Sequence, residues 1–139
     1  MNDKDVTIVP NAQSAPPTAL CAVRARIVDP DTEVVAADGE LDLDSAPMLK
    51  WAIAESFATG RSRVVVDLSE VSFIDSTSIG VLVAIRRKLA DDQRLAVGGV
   101  TGATLEVFRQ AGMERAFRLY PTVEAAIADL DASEPGAER

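Results

Sequence analysis

The stretch Arg63-Val-Val-Val-Asp-Leu68 constrains this chain more than any other, because its β-branched run has the length of a strand and leaves no face for water. Strands covered on both faces belong to parallel sheets, where crossover helices supply the cover. The next residues fit that demand. Ser69 to Asp75 reads as a loop, and Ile79 to Ile85 is apolar nearly all round before Arg86, Arg87 and Lys88. This is the pattern of a helix with a buried first half and cations at its C-terminus.

The flanking segments extend the pattern. Ala22 to Val28 alternates Val23, Ala25 and Ile27 with Arg24 and Arg26, as a strand with one wet face does. Asp29-Pro30-Asp31 supplies a turn into a second strand at Val34 to Ala37. Asp44 or Ser45 is placed to cap a first helix that accepts Pro47 in its first turn, repeats Leu49, Ile53 and Phe57 on one face, and stops at Gly60. Trp51 falls off that stripe, and its bulk favours the core over a partner-facing position. Leu95 to Val100 is a further strand, Thr104 to Ala111 a helix ended by Gly112, and Phe117 to Tyr120 a short strand. Pro121-Thr122 opens a last helix striped by Val123, Ala126, Ile127 and Leu130.

The fold class is therefore α/β: a mixed β-sheet packed with about four helices, in the order β-β-α-β-α-β-α-β-α, over residues 22–130. Residues 1–21, which contain VPNAQSAPPTA, read as a flexible N-terminal arm, and residues 131–139 as a flexible C-terminal tail.

Composition narrows the chemistry. The chain has 139 residues, enough for one domain, and no histidine. That removes His-based triads, the usual neutral-pH proton shuttle and every His-ligated metal site. A single cysteine, Cys21, excludes an internal disulfide or thiolate cluster and fits a cytoplasmic location. The formal charge of −8 works against direct binding of nucleic acid or anionic lipid. No apolar run reaches the length of a membrane span, so no membrane insertion is expected. No cofactor or metal set is recognisable: the acids between Asp29 and Asp44 lack EF-hand spacing, and Gly98-Gly99-Val-Thr-Gly102 lacks the ending of a phosphate loop. The expected partner is a protein.

Phe73-Ile-Asp-Ser-Thr-Ser-Ile-Gly80 is the most unusual segment, placing an acid and three hydroxyls where the central strand passes into its helix. Asp75 or Ser76 suffices as a cap. Thr77 and Ser78 then remain, with hydroxyls expected to face solvent at a helix N-terminus, where free N–H groups and the dipole favour an added anion such as phosphate. A hydrolase with Ser76, Thr77 or Ser78 as nucleophile lacks a base, since Lys88 lies about 16 Å from Thr77 along the helix axis.

With these residues in view, the chain resembles the anti-sigma factor antagonists, the STAS-type domains of bacterial regulation. The resemblance rests on Gly39-Glu-Leu-Asp42, Val64-Val-Val-Asp-Leu68, Phe73-Ile-Asp-Ser-Thr-Ser-Ile-Gly80 and Phe108-Arg-Gln-Ala-Gly-Met113, in the family's order from about residue 22 to residue 130. It implies a phosphoacceptor at the second hydroxyl after the motif Asp, which here is Thr77, with Ser76 and Ser78 as alternatives. Ser78 stands where the family commonly has Gly. It also implies a partner-binding patch of Asp42, Asp75, Ser76, Thr77 and Ser78. The implied function is capture of an anti-sigma factor, usually also a serine/threonine kinase, which releases a sigma factor until phosphorylation ends the capture. No enzymatic activity is implied. Alternatives with the same fold are a scaffold or transporter-associated regulatory subunit, or a sensor of a small ligand or nucleotide.

Overall fold

Val64, Val65 and Val66 are all fully buried, and they point alternately to the two sides of a sheet. In the computed structural model, which describes residues 5–8, 21–115 and 117–132, that sheet has six strands in simple sequential order. The elements are β1 (Asp5–Ile8), β2 (Cys21–Asp29), β3 (Thr32–Leu41), α1 (Ala46–Ala58), β4 (Arg63–Ile74), α2 (Ser76–Arg87), β5 (Arg94–Gly98), α3 (Gly102–Gln110), β6 (Arg118–Leu119) and α4 (Val123–Ala132). The first three strands pair antiparallel, and β3 through β6 pair parallel. From β2 onward the order is the expected β-β-α-β-α-β-α-β-α in a mixed sheet.

The alternation of β4 builds two cores. Val64, Val66 and Leu68 join Leu49 and Ile53 of α1, Ile79 and Leu82 of α2, and Phe108 of α3. Val65 joins Val123, Ala126 and Leu130 of α4 on the opposite face. Phe108 meets Phe117 edge to face, with ring centres 6.1 Å apart. Polar groups fix the helices along the sheet. The buried Glu33 carboxylate of β3 accepts from Ser56 Oγ of α1 at 2.9 Å, and buried Arg94 of β5 donates to the Leu130 carbonyl at the end of α4. Gly99 has φ +72°, and a Cβ there would stand 2.6 Å from the Ser69 nitrogen, so no other residue fits without moving β4.

Several boundaries differ from expectation. The arm expected over 1–21 is corrected at both its described parts: Asp5–Ile8 adds a strand antiparallel to β2, and Cys21 already belongs to β2. Val6, Thr7 and Ile8 are β-branched, and four residues suffice once a ready edge is present. The tail expected from 131 begins with helical residues, because α4 runs to Ala132; residues 133–139, like 1–4 and 9–20, lie outside the described residues. The loop expected over Ser69 to Asp75 is strand as far as Ile74. Register shifts between β3 and β4 absorb the irregular pattern, and Val71 and Ile74 remain buried. Trp51, expected in the core, is 55% exposed, because α1 buries Leu49, Ala52, Ile53 and Ser56 on the opposite side.

Leu82 is fully buried between α2 and the sheet, so Leu82→Ala is expected to lower unfolding stability by about 2–5 kcal/mol in a urea titration. A second test concerns acid. Asp129 of α4 accepts from the Tyr120 hydroxyl and pairs with Arg118; these contacts hold its carboxyl below the ordinary 3.8, while burial and the same bond push the Tyr120 hydroxyl above 10.0. A lowered acid stabilises above its unfolded value and loses that contribution as pH falls through its folded one; a raised tyrosine loses its contribution as pH rises. The stability gap between wild type and Asp129→Asn is therefore expected to stay level through neutral pH and to shrink below about pH 4.

Candidate functional site

The C-terminal ends of β3 and β4 lie side by side, Leu41 opposite Ile74, and each strand then enters a helix. The Asp75 N–H donates to the Leu41 carbonyl at 3.2 Å, fastening the start of α2 to the loop before α1. The same register brings Asp42 and Asp75 to one end of the sheet. This is the end of an α/β sheet where ligands and partners commonly meet the fold.

Asp75 is the N-cap of α2. Its backbone is extended, and its Oδ1 accepts both from the Ser78 N–H at 2.9 Å and from the Ser78 hydroxyl at 3.0 Å. Ser78 is therefore spent inside the structure. It is 1% exposed, which corrects the expectation that its hydroxyl faces solvent. The position where the resemblance implies Gly thus has space for the Ser78 side chain, whose hydroxyl and N–H both donate to Asp75. Ser76 and Thr77 are exposed on the first turn, and Gly80 beyond them borders open space. The α2 N-terminus thus presents two free hydroxyls, Ser76 and Thr77, next to N–H groups and the positive end of the helix dipole.

Asp42 braces the facing loop. Its Oδ1 accepts from the Asp44 and Ser45 N–H groups and from the Ser45 hydroxyl, while that hydroxyl also donates to the Glu40 carbonyl at 2.8 Å. The cap expected from Asp44 or Ser45 is corrected accordingly: Ser45 occupies the N-cap position of α1 but makes no capping bond with its side chain, and Asp42 takes the loop N–H groups instead. The Asp-x-Asp-Ser order of residues 42–45 is the signal for this turn. Asp42 remains half-buried and Asp44 exposed, so the loop carries negative charge to the edge of the α2 site.

The site offers little for covalent catalysis. Burial raises the Cys21 thiol above its ordinary 9.0, with Asp38 and Asp42 nearby, so it is a poor nucleophile. Asp75 is engaged by Ser78 rather than aimed at Thr77. Among the described residues, no group of three or more His, Cys, Asp or Glu is placed to hold a metal ion, and no helix is long and apolar enough to cross a membrane. Sequence reasoning missed Leu43, which is 66% exposed in the loop between Asp42 and Asp44.

Comparison with known proteins bears on the same region. The family model described as "Mlab, STAS domain" matches residues 26–121. The chain is 31% identical over 94 residues to the anti-sigma-F factor antagonist RsfB of Mycobacterium tuberculosis, covering 68% of this chain and 77% of that protein. The crystal structure of an anti-sigma factor antagonist from Mycobacterium paratuberculosis superposes with a TM-score of 0.75 at 29% identity, over 84% of this chain and 98% of that one. The phosphorylated form of the Bacillus cell fate determinant SpoIIAA superposes with a TM-score of 0.60 at 23% identity, over 78% and 98% of the two chains, a likeness of fold.

Asp75→Ala removes the acceptor of two bonds at the start of α2 and is expected to lower stability by about 0.5–2 kcal/mol. Thr77→Ala, at an exposed position, is expected to change it by less than about 0.5 kcal/mol. Parallel urea titrations of the two variants check the difference.

Proposed function

Because the chain belongs to the STAS domain family, we propose that it is an anti-sigma factor antagonist acting in the cytoplasm. Its unphosphorylated form binds an anti-sigma factor, usually a serine/threonine kinase, and so frees a sigma factor for transcription. Phosphate on Thr77 ends the binding. Supporting this are the names of its relatives and, above all, the division of labour in the first turn of α2, where Ser78 is buried on Asp75 while Ser76 and Thr77 are left exposed, Thr77 at the position the family resemblance implies.

The mechanism is electrostatic. Capture uses the exposed first turn of α2 together with the loop that carries Asp42. A phosphate on Thr77 brings roughly −1.5 to −2 charges and three acceptor oxygens. The N-terminal N–H groups and dipole of α2 favour that charge within the domain, so the fold persists. A docked partner instead meets the new charge beside Asp75 and Asp42, and its binding fails. Nothing in this sequence of events requires the chain to catalyse a reaction; the partner supplies the kinase.

The test uses the purified anti-sigma factors encoded in the same genome. Incubation with the cognate one and ATP is expected to add one phosphate, located on Thr77 by peptide mapping. Thr77→Ala is expected to abolish the modification and to keep the capture, and Thr77→Glu to weaken the capture, a carboxylate carrying less charge than a phosphate. Undiminished capture by stoichiometrically phosphorylated protein would refute the switch and favour a scaffold.

A further inference from the structure

Helix α1 is apolar on two sides. Leu49, Ala52, Ile53 and Ser56 turn inward; opposite them Pro47, Trp51, Ala54 and Ala58 recur at i, i+4, i+7 and i+11, all exposed, with Lys50 and Glu55 along the flanks. The strip continues beyond the helix. The Ala46 N–H donates to the Asp42 carbonyl at 2.8 Å and Ser45 has a helical backbone, so residues 42–46 form one more turn, and Leu43 stands a turn ahead of Pro47. Leu43 and Trp51 are among the few large hydrophobic side chains exposed in the described residues. A helix apolar all round is ordinarily buried, and an exposed apolar strip with a polar rim marks an interaction surface.

The Leu43 end of this strip is the loop that Asp42 braces beside the α2 N-terminus, so the strip continues the surface proposed above. Its charge states what fits it. Asp42 and Asp44 flank Leu43 in the loop, and the chain has no Lys or Arg between Asp29 and Lys50. We infer that the outer face of α1 is a second half of the docking surface, seating Leu43, Pro47 and Trp51 in an apolar groove of the anti-sigma factor whose rim is basic at the Leu43 end. The inference rests on the proposed function. Trp51 is the anchor, as the largest exposed side chain on the strip. An anionic lipid surface is disfavoured by the same acids, and a second copy of the chain would set them against one another.

Trp51 is the only tryptophan, so protein grown with 5-fluorotryptophan gives one fluorine resonance that reports on this residue alone. Titration with each purified anti-sigma factor of the same genome is expected to shift that resonance in the complex. Trp51→Ser is expected to weaken capture by roughly tenfold or more, with Trp51→Phe restoring most of it. Because the side chain is exposed, the thermal midpoint of Trp51→Ser is expected to stay at the wild-type value. A complex that forms with an unshifted resonance, and that Trp51→Ser binds at full affinity, overturns the role of α1 and leaves the proposed function standing. Failure of every anti-sigma factor to bind overturns both. A resonance that shifts only with protein concentration, or only with phosphatidylglycerol vesicles, assigns the strip to a second copy or to lipid and also overturns the inference.

Discussion

The parallel ladder between β3 and β4 sets where everything else can be. It starts with Thr32 beside Arg63 and ends with Leu41 beside Ile74, with two register shifts on the way. Each shift adds a residue on β4 relative to β3, and these extra residues let two strands of unlike pattern finish level. Level ends matter because the Leu41 carbonyl then accepts the Asp75 N–H, closing the gap between the loop into α1 and the first turn of α2. Slipping that ladder by one residue would turn Val64 and Val66 to the wrong face and separate Asp42 from Asp75. The same pairing thus fixes the core and the site.

At the start of α2 the electrostatics are divided between two neighbours. Asp75 satisfies one helix N–H and orders the Ser78 hydroxyl beneath the surface, which leaves other first-turn N–H groups without an intrahelical partner. The domain can therefore take a further negative group at Thr77 without losing a bond it already makes. Its cap comes from one residue and its exposed hydroxyls from others, so the groups that stabilise this turn are distinct from those it presents to solvent.

Much of this was legible in the sequence. The Val64 to Val66 run, the stripes of α1 and α4, and a cap at Asp75 or Ser76 follow from periods and residue types that local geometry enforces. The strand from Ser69 to Ile74 was not legible, because Glu70, Ser72 and Phe73 break any period of two and only the ladder with β3 makes them a strand. Asp5–Ile8 is equally dependent on its partner: a short β-branched segment becomes a strand only beside an edge that accepts it. Within the site, the acid and hydroxyls stood out, but which hydroxyl is buried depends on the rotation of α2 against the sheet. That rotation is set by Ile79 and Leu82, with Leu82 three residues from Ile79 and four from Ser78 on the same buried face.

Trp51 was misplaced for a related reason. Size favours burial, but α1 has only one face toward the sheet, and smaller residues at Leu49, Ala52, Ile53 and Ser56 fill it. The consequence reaches the switch. Along a helical path Trp51 lies about 13 Å from Asp42, beyond the roughly 8 Å over which charges are felt at physiological salt. A phosphate at the proposed Thr77 site would therefore act on the first turn of α2 and on the loop that carries the Leu43 end of the strip, while contacts at Trp51 would rest on apolar area. In the proposed interface, phosphorylation would turn the charge-bearing part against the partner while leaving the apolar strip of α1 unchanged, so loss of capture would come from the added charge and not from loss of the strip.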